Sequence, residues 1–195
     1  MSAFLWPDLT LPSSAPAVAE LVSGVRQRDG AALGRIYDEH QAALCSFCHR
    51  LLGERQAAED LVHEVFISLP ELIGKLEAGR SLRAFLLGIA ANRGRHYLRA
   101  AARRRKLAAR YAAEPPGTVT PPDRQAEQHR IARRIALALD QLSHEHRVTF
   151  VLAELEGHDA ASIGAILSVP EATVRTRLFH ARRRLRDILS QEGLP

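Results

Sequence analysis

Aromatic side chains make up 5% of this 195-residue chain, cysteines number 2, and β-branched residues are scarce beside alanine, leucine and arginine. So few aromatic and β-branched residues leave little to furnish a pleated sheet, and summed propensity favours helix almost everywhere. The length allows one large core or two small ones. The composition predicts an all-α protein of two small helical domains.

Long apolar runs are missing as well. The start, MSAFLWPDLTLPSSAPA, lacks a cationic leader, and Pro7 and Asp8 interrupt its apolar residues. It therefore reads as neither a signal peptide nor a membrane span. Residues 1–16 read as a flexible tail, with Phe4, Leu5 and Trp6 available to dock on a partner. No later stretch is apolar for long enough to cross a bilayer, so no membrane insertion is expected and the cytoplasm is the expected compartment.

Catalytic signatures are absent too. There is no Gly-rich phosphate loop, no HExxH pair and no nucleophile in a recognisable setting, which predicts a protein that is not an enzyme and needs no cofactor. The two cysteines lie in CSFCH, residues 45–49, a literal match to c-type haem attachment. However, Leu33, Ile36, Leu44, Phe47 and Leu51 recur at helical spacing across this stretch. That places the pair inside an amphipathic helix, with Cys48 beside the apolar stripe and Cys45 on its far side. The expectation is ordinary helix residues and no metal site, His40 and His49 included.

Acids are lacking in two places. Residues 1–92 carry 8 basic and 11 acidic side chains, whereas 93–111 carry 8 basic ones (Arg93, Arg95, Arg99, Arg103, Arg104, Arg105, Lys106, Arg110) and no acid. From 172 to 186 there are 6 arginines, again without an acid. The net charge of +5 is thus concentrated in two stretches, the footprint of a chain that neutralises phosphates at two places.

The helices follow from punctuation and periodicity. One is predicted over 18–28, broken by Asp29-Gly30, and a second over 31–52, stopped by Gly53 as a C-terminal cap. A third starts near Gln56, with Leu61, Val65 and Leu69 on its buried face and Glu59, Asp60, His63 and Glu64 towards solvent; Pro70 should end or kink it. Ser81 is the expected N-cap of a long fourth helix, apolar in its first half and basic in its second. Gly94 in its middle signals a bend or a close approach of backbone to a ligand.

Residues 112–125, AAEPPGTVTPPDRQ, hold four prolines and a glycine. They read as a stiff tether reaching up to about 45 Å, dividing a first domain over 17–111 from a second over 126–195. In the second, helices are expected near 126–142, from Ser143 to Gly157, over DAASIGAIL, and from Glu171 after the turn Ser168-Val169-Pro170. The last pair makes a helix-turn-helix, whose second member can enter a DNA major groove. Val174, Leu178, Ala181, Leu185 and Ile188 fix its inner face. Thr173, Arg175, Thr176 and Arg177 then stand where base edges are read, and Arg182, Arg183, Arg184 and Arg186 where phosphates are met.

With these residues placed, ALGRIYDEHQAALCSFCHRLLGERQAAEDLVHEVFISL, LRAFLLGIAANRGRHYLR and LDQLSHEHRVTFVLAELEGHDAASIGAILSVPEATVRTRLFHARRRL resemble the bacterial sigma factors of the small extracytoplasmic-function (ECF) group. The resemblance covers residues 20–108 and 130–189. It implies a transcription initiation factor that binds core RNA polymerase and promoter DNA, with region 2 in the first domain and region 4 in the second. AEDLVHEVF is similar to the surface that docks on the polymerase clamp, which gives Asp60, His63 and Glu64 a polymerase-facing role. The fourth helix is similar to the segment that melts and reads the minus-ten element, with Asn92, Arg95, His96 and Arg99 as candidates and Arg103 supplying charge. The final helix would read the minus-thirty-five element. An anti-sigma protein is the implied regulator.

Phe85, His96, His63 and Ser168 depart from the tryptophan, aspartate, glutamine and glycine common in the family. The rival reading is a helix-turn-helix regulator acting without replacing the resident sigma factor. It leaves AEDLVHEVF and the charged fourth helix unexplained. On the sigma reading both cationic surfaces need polymerase to set their spacing, so the isolated protein should bind promoter DNA weakly.

Overall fold

The computed structural model describes residues 15–77, 79–111 and 135–191. The tether at 112–125 and nearly all of the expected tail lie outside them. Among the described residues there is no strand. The first unit is built of α1 (Ala15–Arg26), α2 (Gly30–Leu52), α3 (Arg55–Leu72) with a 3₁₀ turn at Ile73–Lys75, and α4 (Leu82–Tyr111). The second comprises helical residues 135–139, α5 (His144–Phe150) continued by a π turn at Val151–Leu155, α6 (Ala160–Leu167) and α7 (Glu171–Gln191).

The caps explain the boundaries. Asp29 Oδ1 accepts from the Ala31 N–H at 2.8 Å and starts α2. Gly53, at φ 70°, ends it by donating its N–H to the His49 carbonyl at 2.7 Å. Ser81 Oγ caps α4 through the Ala84 N–H at 3.1 Å. Pro70 does not end α3 at once. It removes the N–H that would reach the Phe66 carbonyl, and the helix runs only to Leu72 before tightening into the 3₁₀ turn.

Helices α1–α4 close over Ile36, Phe47, Leu51, Leu61, Val65, Leu69 and Ala90, all wholly buried. Each such leucine contributes about 1.5–3 kcal/mol relative to exposure. Gly94 belongs to this packing. A Cβ there would lie 3.0 Å from Leu51 Cδ2 and 3.7 Å from Leu61 Cδ2, so the backbone approaches neighbouring leucines and not a ligand. α4 passes through Gly94 as one continuous helix.

In the second unit, Ser143 Oγ accepts from the His146 N–H at 3.3 Å to cap α5, and Asp159 Oδ1 accepts from the Ser162 N–H at 2.7 Å to cap α6. The turn between α6 and α7 is tight: the Val169 N–H donates to the Gly164 carbonyl at 3.0 Å, and Ser168 adopts the left-handed conformation at φ 55°, ψ 47°. Gly164 is required there, because a Cβ would meet the Val169 carbonyl oxygen at 2.8 Å. Arg147 is buried in α5 against Asp140.

The two units are not held apart. The apolar cluster of α1–α4 continues into Val148, Val151, Leu152, Ile163, Ile166 and Val174. A second cluster, Ala138, Leu139, Leu142, Ala181, Leu185 and Ile188, fastens α7 to the start of its own unit.

Candidate nucleic-acid and polymerase interface

The polar face of α3 is short and specific. Asp60 and His63 are exposed, and Asp60 accepts from Gln56 Nε2 at 3.1 Å one turn earlier. Glu64 is different. Half-buried, it receives Arg93 on one carboxylate oxygen and the Tyr97 hydroxyl on the other at 2.9 Å. Burial and that bond to Glu64 push the Tyr97 hydroxyl up to about 12, so it stays a donor. Glu64 therefore ties α3 to α4.

Because α4 is one helix, Asn92, Arg95, His96, Arg99 and Arg103 fall at offsets of three, four, seven and eleven residues and share one stripe about 16 Å long. All are exposed. His96 and Asp60 line the same depression, of about 380 Å³, with Glu54, Tyr97 and Arg104. The acidic face of α3 and the cationic stripe of α4 thus adjoin. Besides Arg93, other arginines of this half-helix are already engaged: Arg104 forks onto Glu54 Oε2 through Nε at 3.1 Å and Nη2 at 2.7 Å, and Arg95 pairs with Glu145 of the second unit.

On α7 the apolar stripe is as the spacing predicts, with Val174, Ala181, Leu185 and Ile188 buried and Leu178 half-buried. Arg175 and Thr176 are exposed. Arg175 pairs with Glu171, and Thr176 Oγ1 donates to the Ala172 carbonyl at 3.0 Å. Thr173 and Arg177 are half-buried, contrary to the outward placement that periodicity alone suggests. Arg177 lines a cavity of about 420 Å³ together with Asn92, Arg95, His144 and Glu145, which brings the two cationic helices to one cleft. Arg182 donates to Glu154 Oε1 through Nε at 2.9 Å and Nη2 at 2.6 Å, while Arg183 is exposed.

Several participants were not singled out from the sequence. Glu145 and Glu154 hold arginines of the candidate reading surfaces, and neither follows a sequence rule, since each pair spans separate helices. Phe179, 61% exposed, stands one turn beyond Arg175 and off the apolar stripe; that mismatch was visible in the sequence. His144 titrates below its usual range because it is half-buried and faces Arg95 and Arg147, although Glu145 opposes the shift. The CSFCH pair sits in α2, with Cys48 wholly buried and its thiol pushed up by burial, and with Cys45 half-buried. Among the described residues no three histidine, cysteine or acidic side chains gather as metal ligands would, and no helix is long and apolar enough to cross a membrane.

Residues 36–104 match the family Sigma-70 region 2, and residues 132–185 match Sigma-70 region 4. Over 176 residues the chain is 35% identical to the ECF RNA polymerase sigma factor SigL of Mycobacterium tuberculosis, covering 89% of this chain and 97% of SigL. The chain belongs to the ECF sigma factors. It is also 30% identical over 168 residues to the RNA polymerase sigma factor CarQ of Myxococcus xanthus, covering 85% of this sigma factor and 95% of CarQ.

Two solved structures share its fold. CnrH, solved in complex with the cytosolic domain of CnrY, has a TM-score of 0.60 at 19% identity, over 88% of this chain and 96% of CnrH. The sigma factor RpoE, solved with the anti-sigma factor NepR from Bartonella quintana, gives 0.54 at 22%, over 80% and 96%. In this sigma factor the region 2 match ends within α4, and the region 4 match takes in α5, α6 and most of α7. The all-α, two-unit architecture and the family expected from the sequence are both found.

Proposed function

We propose that this sigma factor binds core RNA polymerase in the cytoplasm and directs it to promoters, without catalysis of its own. The first unit serves the polymerase clamp and the minus-ten element, and the second the minus-thirty-five element. The observation that carries this reading is the adjacency of an open acidic face on α3 to a five-residue cationic and polar stripe on α4, with a second arginine-rich helix in a helix-turn-helix.

An exposed acidic helix suits a basic partner surface, and Asp60 and His63 are the groups it offers. Glu64 contributes chiefly by bracing α3 against α4. Opening DNA without ATP requires capture of an unstacked base and a hold on the single strand through phosphates. Asn92 and His96 have the hydrogen-bonding groups for a base; Arg95, Arg99 and Arg103 supply the charge. On α7, Thr173, Arg175, Thr176 and Arg177 read base edges and Arg182 and Arg183 meet phosphates. An anti-sigma protein is the proposed regulator, as the structural neighbour RpoE was solved with one.

The test is competition for core polymerase. The full-length chain should displace the resident sigma factor, and Asp60→Lys with His63→Glu should abolish that displacement while leaving the fold intact. A helix-turn-helix regulator of the ordinary kind would bind promoter DNA and leave the resident sigma factor in place.

A further inference from the structure

An imidazole stands among the arginines on the outward face of α7. His180 is exposed, and it follows Thr176 by four residues and precedes Arg183 by three, so the three side chains share one face of the helix. Two other rings hold it there. Phe179 packs against it edge-on, with centroids 5.5 Å apart and planes at 74°, and His146 of α5 stacks on it at 5.9 Å and 27°. We infer that His180, braced by Phe179 and His146, is a proton-dependent contact to a promoter phosphate, so that this sigma factor holds promoter DNA more tightly as pH falls below neutrality. This rests on the assignment of α7 to DNA reading.

Position and charge both favour a phosphate over a base edge. His180 lies one turn beyond Thr176, past the N-terminal part of the helix where base edges are read. A neutral imidazole carries one N–H and no charge, whereas an imidazolium offers two N–H donors and a cation. The neighbours couple that proton to DNA. Arg177 precedes His180 by three residues and Arg184 follows it by four, so an imidazolium there meets two cations on its own helix. From α5, His146 faces both His180 and Arg177, with Glu145 beside it, and Glu145 is itself paired with Arg95 of α4. His146 titrates below its usual range, chiefly through burial and then through His180 and Arg177, against the pull of Glu145. It therefore leaves the proton to the exposed ring. A phosphate laid across this face relieves the repulsion, so DNA binding and proton binding favour each other. By linkage the gain in affinity is complete below the pH at which the free protein takes the proton, and it is lost as pH rises past the point where the bound protein gives the proton up. Imidazole is the side chain that makes this change between about pH 5 and 8.

The test uses holoenzyme assembled from core polymerase and the full-length chain, and a fluorescein-labelled duplex carrying a promoter that this holoenzyme transcribes. Filter retention of the duplex is measured at about pH 7.5 and about pH 6.0, on either side of imidazole titration. Each variant is compared with wild type at the same pH, so titration of polymerase itself cancels. Wild-type affinity relative to His180→Gln should rise about three- to fivefold from the higher pH to the lower, the gain for one site whose bound form takes a proton about tenfold more readily. At the lower pH the salt dependence of wild-type binding should also be steeper than that of His180→Gln by about one counterion. His180→Arg, with its permanent charge, should bind at both pH values as wild type does at the lower one. His180 is exposed, so these replacements leave the core of the second unit untouched. A His180→Gln holoenzyme that follows wild type at both pH values overturns the inference, and so does His180→Arg with no gain at the higher pH. A holoenzyme that transcribes but shows no such rise leaves the functional assignment standing, whereas failure of the wild-type chain to support any transcription overturns that assignment and this contact with it.

Discussion

Arg147 lies in the interior of the region 4 unit, 2% exposed, and donates from Nη1 to Asp140 Oδ1 at 2.5 Å. The pair joins α5 to the segment that leads into it. Removing one partner of a buried ion pair takes an opposite charge away from the one that stays buried, at about 3–5 kcal/mol. Asp140→Ala is therefore expected to lower unfolding free energy by about 3 kcal/mol in urea denaturation. A loss below about 1 kcal/mol, the size of a surface pair, would show that the pair is not buried in solution.

Ser168 is held at φ 55°, ψ 47°, a conformation that costs a residue with a Cβ about 1–2 kcal/mol relative to glycine. Part of that is returned because glycine is more flexible when unfolded. Ser168→Gly should raise stability by about 0.5–1 kcal/mol. A decrease would mean that the Arg80 contact to Ser168 Oγ outweighs the backbone strain.

The local elements were legible in the sequence because their causes are local. Gly53, Ser81 and Ser143 announce caps whose bonds close within a few residues. Leu61, Val65 and Leu69 announce a buried face by spacing alone. Gly94 was half legible: its cost in a helix points to a close approach, but only the fold says that Leu51 and Leu61 are what approaches. The candidate site was legible as charge and not as contact. Arg95 and Arg177 stand out as cations in acid-free stretches, yet nothing in either stretch reveals that they share a cleft with Glu145. That depends on how the two units seat on each other.

Four histidines, His40, His144, His146 and His158, titrate below 6.5, each chiefly through burial. Arg83 pushes His40 and His158 the same way, and Arg177 and His180 push His146. The folded chain resists protonation at these sites while the unfolded chain accepts it. As pH falls below 6.5 the unfolded state binds more protons, and stability is lost. The melting temperature should fall between about pH 7 and pH 5.5, and His144→Gln should flatten the slope. A melting temperature that does not change across that range would contradict the half-buried placement of these rings.

Arg175→Ala and Arg177→Ala should each weaken promoter use by about 1–3 kcal/mol in a manner that depends on the minus-thirty-five sequence. Arg183→Ala should weaken all promoters alike and reduce the dependence of binding on salt by about one counterion. Equal loss on every promoter for the first two would assign them to phosphate instead.

The central claim, a sigma factor with two separate cationic reading surfaces, meets its most direct test in run-off transcription with core polymerase across a promoter library. The expected result is transcripts from a defined subset of promoters, lost when Arg95 and Arg99 are replaced by alanine and lost independently when Arg175 and Arg177 are replaced. Transcription that needs neither pair, or none at all with core polymerase present, would contradict the account.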